Sequence, residues 1–150
     1  MGKVSIAAEV FNCNAPYTGN MEVLERYGTS EHKNRWLYDL LDGKIRSAYI
    51  MTEPNTASSD AAQLTFSAVK DGESWVLNGE KWWISGAGDP RCKLYILLAC
   101  TDPSAPKHNR HTMFVLDPKT PGIEVLRPMQ VFGNDDAPHG HICLLYTSPS

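Results

Sequence analysis

Two stretches of this sequence carry side chains at spacings suited to holding a ligand. The first, Thr52-Glu53-Pro54-Asn55-Thr56-Ala57-Ser58-Ser59-Asp60, is dense in hydroxyls and small side chains. Such a loop lets a ligand approach main-chain N–H groups and offers neutral hydrogen bonds. It holds no Lys, Arg or Gly, so neither a Walker-type phosphate cradle nor a dinucleotide-binding glycine fingerprint fits. By residue type it reads as a ligand loop or as a Ser/Thr-rich surface loop. The second stretch, Gly79-Glu80-Lys81-Trp82-Trp83-Ile84-Ser85-Gly86-Ala87-Gly88, sets two tryptophans side by side. On a strand they point to opposite faces, so one indole is expected in the core and the other outward, with Ser85 on the side of Trp83. An aromatic plane beside a hydroxyl suits a flat heteroaromatic ring; two purely structural indoles are the competing reading.

Other chemistry has less support. His108/His111 and His139/His141 form pairs that could ligate a metal, yet no third ligand stands at a recognisable spacing, and no metal site is expected. There is no G-x-S-x-G elbow. Cys13, Cys92, Cys100 and Cys143 lack any C-x-x-C pairing, which argues against a zinc ribbon and for reduced thiols. The 150 residues are 42% hydrophobic, enough for a real core, and the net charge of −3 with no basic cluster argues against a nucleic-acid surface. The longest strongly apolar run, Leu94 to Cys100, falls far short of the roughly 20 residues that span a bilayer, so no membrane insertion is expected.

The elements that must position these stretches follow from periodicity. Asn20 is read as the N-cap of a short helix carrying Met21, Val23, Leu24 and Tyr27, ended by Gly28. Thr29 or Ser30 then caps a second helix whose Trp36, Leu37, Leu40 and Leu41 form one apolar face, a stripe with little in the sequence to cover it. After Lys44 the period shortens to two. Strands are predicted at Ser47–Thr52, Leu64–Lys70, Ser74–Leu77, Lys81–Ser85, Lys93–Thr101, His111–Leu116, Ile123–Leu126 and Met129–Phe132. Turn signals at Asp71-Gly72, Asn78-Gly79, Gly88-Asp89-Pro90, Asp102-Pro103 and Thr120-Pro121-Gly122 separate them, and residues 101–110 read as a polar exposed loop. The fold class is therefore α+β: a short N-terminal helical segment, then an antiparallel β-barrel-like domain.

Tyr49-Ile50-Met51-Thr52-Glu53-Pro54, the small-residue run to Ser59-Asp60, and Asn78-Gly79-Glu80-Lys81-Trp82-Trp83-Ile84-Ser85 resemble the flavin-binding signatures of the acyl-CoA dehydrogenase family. The double Trp, the Ser-Ser-Asp variant, Glu9-Val10-Phe11-Asn12-Cys13 and Thr18-Gly19-Asn20-Met21-Glu22 are similar to the subgroup around family members 10 and 11. The resemblance covers the chain from Ala8 to Ile142. It implies that residues 1–46 end an N-terminal helical domain and that 47–142 are the middle β-domain facing FAD and acyl-CoA.

Residue by residue, the resemblance implies that the main chain of Tyr49, Ile50, Met51 and Thr52 lines the flavin, with the Thr52 hydroxyl at its pyrimidine edge. Ser58 and Ser59 compete for the position that binds the FAD pyrophosphate and borders the acyl-CoA substrate. Trp83 packs on the isoalloxazine, next to Ile84, and Ser85 replaces a Thr that hydrogen-bonds flavin N5. Glu53 is implied to be structural.

The implied reaction is α,β-dehydrogenation of an acyl-CoA thioester with hydride transfer to FAD. The implied partners are an electron-transfer flavoprotein as acceptor and further copies of the chain in a dimer or tetramer. The catalytic glutamate is expected in a C-terminal four-helix domain beyond these residues, so the 150 residues alone are expected to be inactive. The compartment implied is cytoplasmic in bacteria and mitochondrial or peroxisomal in eukaryotes. A non-catalytic β-barrel module binding acyl-CoA or a protein partner is the alternative. Residues 143–150, Cys143-Leu144-Leu145-Tyr146-Thr147-Ser148-Pro149-Ser150, resemble the in-frame translation of a transposase mosaic-end sequencing adapter, and a non-native tail leaving an open sheet edge is expected there.

Overall fold

The computed structural model describes residues 4, 6–130 and 139–149, the last stretch as backbone. Three helices open the chain: α1 (Ala7–Val10), α2 (Tyr17–Tyr27) and α3 (residues 30–41), the last with a π turn over Lys33–Leu37. Seven strands follow: β1 (Arg46–Ile50), β2 (Ser67–Asp71), β3 (Ser74–Ser85), β4 (Cys92–Cys100), β5 (His111–Leu116), β6 (Ile123–Pro128) and β7 (His139–Pro149).

The helix boundaries differ from the sequence reading at one end. α2 begins at Tyr17, so Asn20 lies inside the helix; it is buried, and its Nδ2 donates to Ser47 Oγ at 2.9 Å, tying α2 to β1. Thr29 does cap α3, its side chain accepting from the His32 amide at 3.2 Å. Gly28 follows α2 with ordinary negative φ. Its requirement is space, since a Cβ there would sit 2.4 Å from the Leu24 carbonyl oxygen. Of the predicted stripe, Trp36, Leu37 and Leu40 are buried whereas Leu41 is exposed.

That stripe has a cover after all. Leu24, Trp36, Leu37 and Leu40 pack with Leu94 and Ile96, and Tyr49 and Val115 lie against the same cluster. β4 thus has two buried faces: Leu94 and Ile96 meet the helices, while Tyr95, Leu97 and Ala99 join Ala48, Ile50, Phe66, Leu77 and Ile84 in a second core. A strand buried on both sides reads as a continuous apolar run, which is what Leu94 to Cys100 is.

The sheet order is β1-β4-β2-β3-β7-β6, with β5 also paired to β4. Four pairings are antiparallel, as expected, but β4 runs parallel to β1 over Arg46–Ile50 and meets β2 in parallel at Ser67↔Cys100. Gly72, at φ +59°, opens the two-residue turn of the β2–β3 hairpin. Asn78-Gly79 is no turn. It lies within a continuous β3, where Gly79 (φ +145°) makes room for Phe66, 2.7 Å from where a Cβ would stand. β3 stays extended there because β7 pairs along it from Ser85↔His139 to Ser74↔Pro149. The expected open edge is therefore occupied, and by the segment read as a non-native tail. Of the predicted strand Met129–Phe132, Met129 is buried outside any strand, and Phe132 lies outside the described residues.

Candidate functional site

The two motifs come together through a buried ion pair. Lys81, fully buried on β3, donates from Nζ to Glu53 Oε1 at 2.9 Å, to the Met51 carbonyl at 2.7 Å and to the Leu98 carbonyl at 2.9 Å. Its ammonium also stands 4.9 Å from the Phe66 ring centroid. Glu53, also buried, accepts from the Phe66 amide at 2.9 Å on Oε1. On Oε2 it accepts from the Thr65 amide at 2.9 Å and from the hydroxyls of Thr65 and Thr56 at 3.0 and 3.2 Å.

Burial pushes the Glu53 carboxyl up, but the Lys81 ammonium and the Thr65 and Phe66 amides outweigh it and hold the group below the usual carboxylate range. Burial lowers Lys81, opposed by its bond to Glu53. With both oxygens engaged, Glu53 has no capacity left for proton abstraction, in line with its structural reading.

The loop after Glu53 separates the two candidate serines. Ser58 is buried and turned inward: its Oγ accepts from the Glu53 amide at 2.7 Å and lies 3.1 Å from the carbonyl oxygens of Glu53 and Thr56. Ser59 is exposed. Asp60 caps the single turn Ala61–Gln63 by accepting from the Ala62 amide, and it meets Lys107 at 3.2 Å, bringing the polar loop 101–110 alongside.

On β3 the tryptophans do not alternate as a regular strand requires. The register with β7 shifts between Lys81 and Ile84, and Trp83 takes a left-handed φ of +54°. Lys81 points inward in phase with Leu77, and the bulge then turns Ile84 inward in place of Trp83, leaving neither indole in the core: Trp82 is half-buried and Trp83 is 43% exposed. Their rings meet edge-on, centroids 6.4 Å apart. A bulky residue at positive φ is an outlier that persists only where surrounding contacts over-determine it. Here the Trp82 amide donates to the Thr52 carbonyl at 3.0 Å, and the Thr52 hydroxyl donates to the Trp82 carbonyl.

The remaining site residues divide by what they can offer. Ala48 and Ile50 side chains are in the inner core and half-buried Tyr49 packs toward the helices, so on the inner-core side β1 presents main-chain atoms. Ile84 is likewise buried. Ser85 is half-buried and borders a cleft of about 460 Å³ walled by Glu9, Asn14, Tyr17, Asp89 and Arg91. Missed in the sequence were Lys81, which sits in the middle of a recognised motif, and Thr65 and Phe66. A lysine on the inward-facing register of a strand, with a glutamate in the partner motif, was the available signal.

Of the histidine pairs, His111 Nε2 lies 3.2 Å from the Leu64 carbonyl, and among the described residues no three His, Cys, Asp or Glu side chains cluster as metal ligands. The side chains of His139 and His141 lie outside the described residues. No described helix is long and apolar enough to cross a membrane.

Residues 48–145 match the family described as acyl-CoA dehydrogenase, middle domain. The chain is 56% identical over 141 residues to the Arabidopsis thaliana protein IBR3, named a probable acyl-CoA dehydrogenase, and 52% identical over 141 residues to mouse acyl-CoA dehydrogenase family member 10. Each match takes in 94% of this chain but only 17% and 13% of the relative, so the chain spans a small part of the proteins it resembles. A Mycobacterium abscessus structure assigned to the acyl-CoA dehydrogenases superposes with a TM-score of 0.93 at 48% identity, over 99% of this chain and 37% of that one. A Mycobacterium smegmatis glutaryl-CoA dehydrogenase in complex with FADH2 superposes with a TM-score of 0.73 at 27% identity, over 87% of this chain and 32% of that one.

Proposed function

The chain belongs to the acyl-CoA dehydrogenase family, and on that premise we propose that it is the flavin-facing middle segment of an FAD-dependent enzyme that desaturates acyl-CoA thioesters between Cα and Cβ. The observation that carries this reading is Trp83, an indole held outward at a left-handed bulge within two residues of Ser85 and bonded through Trp82 to the Thr52 loop. The donor set fits a flavin: a flat aromatic plane, neutral hydroxyls and main-chain amides, with the nearby ionised groups paired to one another.

In this reading Trp83 stacks on the isoalloxazine, and the main chain of Tyr49 to Thr52 lines the ring. Thr52, whose hydroxyl proton goes to Trp82, has oxygen lone pairs left to accept at the pyrimidine edge. Ser85 offers its hydroxyl at N5. Ser59 takes the pyrophosphate and thioester side, because Ser58 is engaged within the loop. Bound FAD supplies the acceptor for the hydride leaving Cβ, while the α-proton goes to a carboxylate. That carboxylate is a glutamate of a following helical domain, and Glu53 keeps its proton-free, fully bonded state.

Residues 1–46 then close a helical domain, 47–142 form the β-domain, and 143–150 are non-native in sequence, although the backbone of 143–149 belongs to β7. Electrons pass on to an electron-transfer flavoprotein, and the full-length enzyme is a dimer or tetramer.

Recovering the complete reading frame and expressing it tests this directly. A yellow protein that reduces its flavin on adding an acyl-CoA, and loses that response with Trp83→Gly, is the expected result. A reading frame with no helical domain and inward glutamate after the β-domain would favour the non-catalytic module instead.

A further inference from the structure

We propose that Lys81 is a positioning residue: with Glu53 it locks the 51–58 loop and the Trp82–Trp83 bulge into one unit, so that the ligand-facing surface is formed before any ligand arrives. The three protons of its ammonium go to three different segments: the exit of β1 at Met51, the loop carboxylate of Glu53, and β4 at Leu98. Glu53 extends the same network to the start of β2 through Thr65 and Phe66, and to the loop tip through Thr56. Thr56 in turn lies 3.1 Å from Ser58 Oγ, which closes the loop on the Glu53 amide.

A lysine is not needed there for burial. An apolar side chain of similar volume would fill the space without bringing a charge out of water. Apolar contact, however, has no direction, whereas three hydrogen bonds from one tetrahedral nitrogen fix three segments at set distances. What they hold lies next along the chain. Trp82 and Trp83 follow Lys81 immediately, and Ile84, buried in the inner core, anchors the other side of the bulge. The left-handed Trp83 is thus clamped between two inward side chains and bonded across to Thr52.

The two indoles report on the geometry themselves. Rings 6.4 Å apart and 60° from coplanar give an exciton couplet in circular dichroism that depends on their mutual orientation. The test compares the 150-residue chain with Lys81→Met and with the double variant Glu53→Gln/Lys81→Met, which leaves no orphaned charge if the single variant does not fold. In either variant that still melts cooperatively, the couplet is expected to collapse. A folded variant with an unchanged couplet overturns the proposal, since a merely stabilising lysine would lower the melting temperature and leave the rings where they are.

A second arm rests on the flavin reading. In the full-length enzyme, Lys81→Met is expected to raise the FAD Kd by about tenfold or more, because displacing a positioned group by a fraction of an ångström has effects of that size. A collapsed couplet with unchanged FAD affinity would overturn the claim that this unit serves the ligand. A wild-type enzyme that binds no FAD would overturn the functional reading, with the couplet result still deciding the role of Lys81.

Discussion

Thr52 and Trp82, 30 residues apart, bond reciprocally: the Trp82 amide donates to the Thr52 carbonyl at 3.0 Å, and the Thr52 hydroxyl returns a bond to the Trp82 carbonyl. This two-way bond makes the two recognised motifs one surface. It also places Trp83, the next residue, in a conformation it would not adopt alone.

Ser58 and Ser59 are expected to respond oppositely to alanine. Ser58→Ala removes the acceptor of the buried Glu53 amide and should destabilise the chain by ~1–3 kcal/mol in urea unfolding. Ser59→Ala, at an exposed position, should stay within about 0.5 kcal/mol of the parent and act on ligand affinity in the full-length enzyme. Equal stability losses would show that the loop does not divide the two roles.

Trp83→Gly sets two effects against each other. Trp83 is 43% exposed, so glycine gives up the burial of more than half an indole, on the order of 3 kcal/mol, while at φ +54° it relieves strain of about 1 kcal/mol or more. The expected outcome is a net loss of ~1–2 kcal/mol in urea unfolding together with lost flavin binding. Unchanged flavin binding at that stability would make the indole structural.

Lys81→Met leaves Glu53 as an unpaired buried carboxylate and should cost ~3–5 kcal/mol. Glu53→Gln/Lys81→Met should recover most of that loss, because breaking one partner of a buried pair is worse than removing both. Urea unfolding of the three variants measures the difference. A double variant as unstable as the single one would mean that the charge itself is required.

Acid sensitivity follows from Glu53. Its carboxyl is held below 4.5 in the fold, so the native state binds fewer protons there than the unfolded chain. Stability from this group is complete above the unfolded value and is lost as pH falls through the folded one. Glu53→Gln should therefore show a shallower loss as the pH falls below the ordinary glutamate range when urea midpoints are compared. Asp89, held low by Arg91, remains in both proteins and cancels in the difference.

Cys92 should be silent to alkylation. Burial pushes its thiol up to about 11, and it contacts the Leu94 carbonyl at 3.5 Å. Iodoacetamide at neutral pH, read by peptide mass spectrometry, should label half-buried Cys100 ahead of Cys92 in the native chain and both alike in urea.

Much of the molecule was legible in its residues. Order and type of neighbours were enough for a cap at Thr29 or Ser30, the Asp71-Gly72 hairpin, the strand His111–Leu116 and the helix-then-sheet class, because each depends on contacts within a few residues. What local pattern could not decide was everything set by a partner far along the chain. Asn78-Gly79 has the chemistry of a turn, yet β7 holds it straight. The Trp36, Leu37 and Leu40 stripe found its cover on β4, 50 or so residues away, where an apolar run has no visible face. Alternation would have sent one indole inward. A one-residue bulge after the inward Lys81, which meets Glu53, instead reverses the phase, so that Ile84 takes the core and both indoles stay out of it. The choice between Ser58 and Ser59, identical in type, belongs to tertiary structure for the same reason: only the folded loop has an inside.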